Sequence, residues 1–307
     1  MTVPSRGGQA RSVTAPSFVH KFTQGQINHR SHMVSGILIG NMSEDGFDAA
    51  SKNVPEPLSG SETAEIISSL YDSAGPRVGA HLVEANSVLT FAGVRGQTEF
   101  FIKNPTSEDR ESIVKANETV ATKGIRIRSV GKDLNDPEGK SILMVNVGSL
   151  RGHERVSLLT KLPGVKPFNS GSGWEGFAKW NSELGRAIDT AQKDRLLPAG
   201  KEFSSDIHSG IHKGYPDQAI LDFCDWLSKG RKPRVIIPDM PLLNLYEGAL
   251  PLFYFYPEHQ YYPNIQSTTQ SWNRVLEDFY SSNWHEDIKN NPEFIRARQE
   301  IDGDRSH

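Results

Sequence analysis

The stretch "SSDIHSGIHKGYPDQAIL", residues 204–221, carries the side chains best suited to chemistry in this chain. His208 and His212 stand four residues apart, with Asp206 before them and Asp217 after them. On a helix this spacing places two imidazoles one turn apart on the same edge. There they can share a divalent cation or act as general acid and base. Asp206 would lie about 200° around the helix from His208, so it cannot join the pair.

The same pair also has a simpler explanation, because histidines at helix interfaces are commonly satisfied by backbone carbonyls. No H-E-x-x-H glutamate separates His208 from His212, and that motif is the usual sequence signal for a paired-histidine zinc site. Asp217, directly after Pro216, also fits a first-turn carboxylate favoured by the dipole of the next helix. Both explanations stay open at this point.

A metal or acid–base site needs further groups, and the second half of the chain offers two clusters, "YPEHQYYP" and "NWHED". Glu258 and His259 of the first cluster follow the apolar run "PLFYFY", so they would lie at a strand end, where sites are commonly built. Ordinary polar punctuation after a strand explains the two residues equally well. The candidate catalytic residues are therefore His208, His212, Asp217, Glu258 and His259, and the candidate metal ligands are His208, His212 and His259.

A basic block between Lys123 and Lys166 indicates a different function, with nine Lys or Arg against four Asp or Glu. In "KGIRIRSVGK", Arg126 and Arg128 project from one face of a predicted strand. Together with the acid-free arm before Glu44, this face can contact the phosphates of a polyanion. Against this interpretation, no aromatic residue interleaves with these arginines in the sequence, and the whole chain is slightly acidic. Pairing with the acidic segment 44–72 explains the same charges.

The hydrophobic pattern predicts the elements that position these residues. For the N-terminal half it predicts a strand at 33–40, a helix ended by Gly75-Pro76, and three strands in "RVGAHLVEA", "SVLTFAGV" and "QTEFFIKN". A helix from Ser107 to Gly124 and strands in "IRIRSV" and "SILMVNVGSL" follow. The second half reads mainly as helices, with strands at "RVIIP" and "ALPLFYFYPEH". The predicted fold class is α+β: a mixed or mainly antiparallel sheet with two helices, followed by a mostly helical C-terminal half.

Composition limits the class of protein. The 307 residues, 36% hydrophobic with a net charge of −3, suffice for one large or two medium domains. We predict a flexible basic arm at 1–32, an α+β domain at 33–150, and a helix-rich region at 151–307. That region is either a second domain or the C-terminal half of one large domain. The single Cys224 excludes an internal disulfide, and no apolar run reaches the roughly 20 residues of a membrane span.

These observations predict an intracellular, cytoplasmic protein without a membrane partner, although the arm is also compatible with an organelle transit segment. The first functional hypothesis is a soluble enzyme, such as a hydrolase, acting on a small or hydrolysable substrate, with a divalent metal as candidate cofactor. The alternative is a non-catalytic binding or assembly protein. It would contact nucleic acid or a protein partner through the arm and the 123–155 basic block.

Overall fold

A computed structural model describes residues 54–130, 134–135, 141–160, 162, 164–229, 256, 263–282 and 290–305. The predicted arm and the predicted strands at 33–40 and "RVIIP" lie outside these residues, as do Glu258, His259 and most of "ALPLFYFYPEH". In chain order the described elements are α1 (Gly60–Leu82), α2 (Ala85–Phe91), β1 (Gln97–Lys103), α3 (Ser107–Val120), β2 (Ile125–Ser129), β3 (Leu134–Asn135), β4 (Ser141–Ser149), α4 (Leu150–Leu159), α5 (Gly173–Lys193), α6 (Lys201–His212), α7 (Asp217–Lys229), α8 (Pro263–Ser281) and α9 (Pro292–Arg305).

A small antiparallel sheet forms the centre of the first half. β4 pairs with β1 on one side and with β2 and β3 on the other. Thr98, Val147 and Ile127 lie opposite one another across three strands, and all three are buried. Every second residue of a strand points to the same face, so one face of the sheet joins a core with α1 and α3. The α+β class is thereby confirmed, with helices dominating the second half.

The segment 77–94, predicted as two strands, is helical instead. α1 continues past Gly75-Pro76 to Leu82, and α2 follows almost at once. Gly75 has φ 63° and ψ 165°, so α1 kinks there. Pro76 then restarts the helix, because its fixed φ suits a first helical turn. Nearly every residue of α2 is buried, so the segment lacks the polar face that distinguishes a helical pattern from a buried strand.

The other predicted helices are confirmed, with small shifts at their ends. α3 is capped by Thr106, not Ser107. The Thr106 side chain accepts a hydrogen bond from the Asp109 backbone N–H, and the Asp109 side chain accepts one from the Thr106 backbone N–H. Such a capping box satisfies two backbone donors at once. The predicted helix-rich region at 151–307 opens with helix α4, directly after β4. α5, α6 and α7 then pack around a second core that includes Leu184, Ile207 and Cys224.

A buried ion cluster attaches the C-terminal helix α9 to α1. Arg298 Nη1 lies 3.1 Å from Glu84 Oε1, and the same oxygen lies 2.8 Å from His81 Nδ1. All three side chains are buried. A buried charge is stable only when it is paired, so this cluster fixes where α9 docks.

Two arginines of the basic block hold the chain segment that precedes α1. Arg151 Nη1 donates to the Glu56 carbonyl oxygen, and Arg155 Nη1 donates to the Pro55 carbonyl oxygen, both at 2.6 Å. The acidic stretch 44–72 therefore does engage part of the basic block, chiefly through its backbone. Within the described ranges, no helix combines the length and apolar composition that a bilayer crossing requires.

Candidate functional site

The histidine pair lies on one helix edge, as its spacing predicts. α6 ends at His212, Gly214 turns the chain with φ 70°, and α7 begins at Asp217. The ring centroids of His208 and His212 are 4.5 Å apart, with the ring planes at 74°. Beside the pair, the apolar residues Phe203, Ile207 and Ile211, which are spaced four apart, form a buried edge of α6.

A third histidine, His153 of α4, completes a histidine cluster with His208 and His212. The Nδ1 atoms of His153 and His212 lie 3.2 Å apart, and His212 Nε2 lies 2.7 Å from Asn181 Oδ1. An amide oxygen only accepts, so neutral His212 carries its hydrogen on Nε2. His212 Nδ1 must then accept a hydrogen bond from the Nδ1–H of His153. His208 makes a further hydrogen bond to the backbone of Asn181.

Aromatic rings of α5 enclose this cluster. His153 stacks on Phe177, with centroids 4.1 Å apart, and the edges of Trp174 and Trp180 face it at 6.2 and 6.4 Å. Glycine makes this packing feasible. A Cβ on Gly96 would overlap the Nδ1 atom of His153, and a Cβ on Gly148 would lie 3.0 Å from the ring of Trp174. A Cβ on Gly152 would overlap the backbone oxygen of Arg95.

Burial keeps the histidine cluster uncharged near neutral pH. Desolvation lowers the pKa of His153 to about 3, with a smaller contribution from the charge of His208. The pKa of His212 is also well below its ordinary value, mainly through burial and then through repulsion by the two other imidazoles. Burial likewise lowers the pKa of the more exposed His208, opposed by its hydrogen bond to Asn181. Neutral imidazoles accept protons and bind metals only through free lone pairs.

This arrangement leaves His212 without a free nitrogen, since both of its ring nitrogens are hydrogen-bonded. In the part of the chain that the structure describes, no group of three or more His, Cys, Asp or Glu residues is placed to hold a metal ion. Asp217 occupies the first turn of α7, in agreement with the helix-dipole explanation. Glu258 and His259 lie outside the described residues, so a metal or catalytic set that includes them stays a prediction.

The second face of the sheet passes beside the cluster, and several of its side chains are exposed or half-buried. The Arg126 guanidinium lies over the Trp174 ring, 4.2 Å from its centroid. Arg128 is exposed on the same face and stands opposite Asn146. On β1, Phe101 is 43% exposed and stands opposite Met144. Trp174, from a distant part of the chain, therefore places against Arg126 an aromatic ring that the sequence around these arginines lacks.

We define the open sheet face by five residues: Phe101, Arg126, Arg128, Asn146 and Trp174. Among the described residues, no acidic side chain pairs with its two arginines. Desolvation lowers the pKa of Arg126, and the nearby charge of Arg128 lowers it further. Neither arginine forms an ion pair within the described ranges. Glu99 of β1 stands opposite Asn146, on the other side of β4 from Arg128, and it pairs with Lys213 at 3.4 Å.

A groove of about 730 Å³ runs along the other side of α5. Trp180 contributes to it, but the three histidines do not. The cluster and the groove are therefore separate features that share one helix.

No protein-family model, no curated protein and no solved structure matches the chain. A function for the protein therefore rests on the arrangement of its own residues.

Proposed function

We propose that the protein binds single-stranded nucleic acid on its open sheet face. The observation that carries this proposal is the pair of adjacent guanidinium groups, Arg126 and Arg128, with aromatic rings on the same face. Neither has a carboxylate partner among the described residues, and Trp174 lies directly against Arg126. This develops the binding alternative predicted from the basic block.

The charge on the face favours a polyanion. The pKa of Arg126 is lowered mainly by burial and, to a smaller extent, by repulsion from the charge of Arg128. A phosphate placed between the two guanidinium groups relieves that repulsion, and it releases counterions from the nucleic acid. Arg126 is also held rigid against Trp174, so less side-chain freedom is lost on binding.

The rings on the face favour an unpaired strand over a duplex. Bases of single strands stack on aromatic side chains or on guanidinium planes, each stack contributing about 1–3 kcal/mol. Phe101 is 43% exposed, the half-buried Arg126 can present the guanidinium plane opposite Trp174, and the Asn146 amide can pair with a base edge. The two stacking positions adjoin Met144 and Gly148 of β4. Four strand residues span about 13 Å, which leaves room for more than one nucleotide.

The test is fluorescence anisotropy with a labelled single strand of roughly 12 nucleotides, titrated at increasing salt. Arg126→Ala/Arg128→Ala should weaken binding and reduce the slope of log affinity against log salt by about 1.4, at about 0.7 per lost phosphate contact. Phe101→Ala should weaken binding with little change in that slope. The matched control is Lys115→Ala, an exposed residue of α3, which packs on the opposite face of the sheet. Equal affinity of the double arginine variant and the control refutes the proposal.

We propose an enzyme centred on His208 as the second candidate, together with His212, Asp217, Glu258 and His259. His212 can act in it only after one of its two ring hydrogen bonds breaks. The observation in its favour is that His208 is the most exposed member of the cluster and that burial lowers its pKa, so its ring is neutral near pH 7 and keeps a lone pair that can accept a proton. Hydrolysis of nitrophenyl esters and phosphates should then fall on His208→Ala, with Lys193→Ala as control. Zinc or manganese that copurifies and is lost in His208→Ala/His212→Ala supports the metal version. Absence of both effects removes this candidate.

A further inference from the structure

The groove along α5 has the size of a ligand site and an uneven charge. Sites for small ligands and short peptide segments commonly span about 300–1,000 Å³, and this groove measures about 730 Å³. Its wall carries three exposed cations, Lys166, Lys179 and Arg186, against a single carboxylate, Glu183. The excess of positive charge favours an anionic occupant.

The cations are available for such an occupant. No ion pair between described residues involves Lys166, Lys179 or Arg186. Glu183 sits between two of them in the sequence of α5 but is not within ion-pair distance of either. Lys179 and Arg186 are seven residues apart, two turns of the helix, so their backbone positions are separated by about 10.5 Å.

We propose that this groove binds an acidic peptide in an extended, polyproline II-like conformation. In that conformation residues i and i+3 lie on the same side of the peptide, about 9 Å apart. Carboxylates at i and i+3 therefore match the separation of Lys179 and Arg186, and Lys166 adds a third positive charge to the groove lining. Asn169 and Thr190, both exposed in the groove, are placed to hydrogen-bond the peptide backbone.

The groove suits a peptide better than a nucleic acid. Its two aromatic residues, Phe168 and Trp180, are each only 4% exposed, so they offer no ring face on which a base can stack. The Trp180 indole N–H already donates to the Lys166 carbonyl oxygen at 3.0 Å. The Glu183 carboxylate can accept a hydrogen bond from a peptide N–H, a donor that a phosphate backbone does not offer. The two rings then form an apolar floor beneath a peptide side chain.

The experiment is a titration of the full-length protein with a labelled peptide of about nine residues in a proline- and alanine-rich background, with aspartates at i and i+3. Lys179→Glu/Arg186→Glu should weaken binding by at least about tenfold. The matched control is Lys193→Glu, which is exposed on α5 but outside the groove. A second peptide, with asparagine at both acidic positions, should bind the natural protein as weakly as the aspartate peptide binds the double variant.

Several results would overturn this inference. One is equal binding of the aspartate and asparagine peptides, and another is equal loss of binding in Lys193→Glu and the double variant. A single-stranded oligonucleotide that loses its own binding in Lys179→Glu/Arg186→Glu, while the peptide does not bind, would assign the groove to nucleic acid instead. Far-UV circular dichroism of each variant establishes that it folds, since all substituted side chains are exposed.

Discussion

Acidification should destabilise this protein through its buried histidine cluster. Burial lowers the pKa of His153 from 6.5 to about 3, and unfolding restores the ordinary value. Between those two values the unfolded chain binds a proton that the folded protein excludes, so stability falls as the pH falls. At about pH 5, His153 alone costs about 2 kcal/mol, at about 1.4 kcal/mol per pH unit. His212, whose pKa is shifted in the same direction, adds to the loss.

The assay is urea unfolding at a series of pH values, followed by tryptophan fluorescence and circular dichroism, for the natural protein and for His153→Phe. Phenylalanine keeps a ring that can stack on Phe177 but takes up no proton. Between about pH 6 and pH 5, the unfolding free energy of the natural protein should fall more steeply than that of the variant, by about 1.4 kcal/mol per pH unit. His208→Gln, at the most exposed histidine, should change the slope less. A natural protein whose stability is constant from about pH 7.5 to pH 5, or a variant with an unchanged slope, refutes the reasoning.

Three further outcomes are expected. Arg298→Met should lower the unfolding free energy by about 3–5 kcal/mol, because it removes one partner of a buried ion pair. Arg296→Met, at an exposed position of the same helix, should change it little. Urea titration of both variants measures the difference, and equal losses contradict the prediction. Gly152→Ala should destabilise the protein by about 1–3 kcal/mol, because the added methyl group overlaps the neighbouring backbone. Gly185→Ala, with open space around it, should stabilise α5 by up to about 1 kcal/mol. Thermal unfolding measures both variants, and equal shifts in melting temperature contradict the packing argument. Cys224 is fully buried, and burial raises its pKa to about 12. A thiol reagent should therefore label it only after unfolding. Rapid stoichiometric labelling of the native protein would contradict this prediction.

The local part of the candidate site was predictable from the sequence. A spacing of four residues placed His208 and His212 on one helix edge, and the apolar pattern gave the buried edge beside them. Both depend only on the geometry of a single helix. The third member, His153, carries no local signal, because it reaches the pair from α4 across 59 residues of chain. Trp174 escaped the prediction for Arg126 for the same reason.

The fold shows a related limit. The alternating strands β1, β2 and β4 were predicted correctly because each has one buried and one open face. The error at 77–94 arose where helices are buried on several sides and lose their polar stripe. Periodicity identifies an element only when it faces two different environments. The boundaries of the predicted regions 33–150 and 151–307 stay predictions.

The packing around His153 ties together positions that are far apart in the sequence. Gly96 leaves space for its ring, Gly148 lets Trp174 approach, and Gly152 lets two backbone segments touch. A larger residue at any of these positions would displace the ring or its neighbours. We therefore expect Gly96, Gly148, Gly152 and His153 to be retained or lost together in evolution. Divergent relatives that keep the histidine are expected to show Gly-x-x-x-Gly-His at the end of one strand and a glycine just before its neighbour.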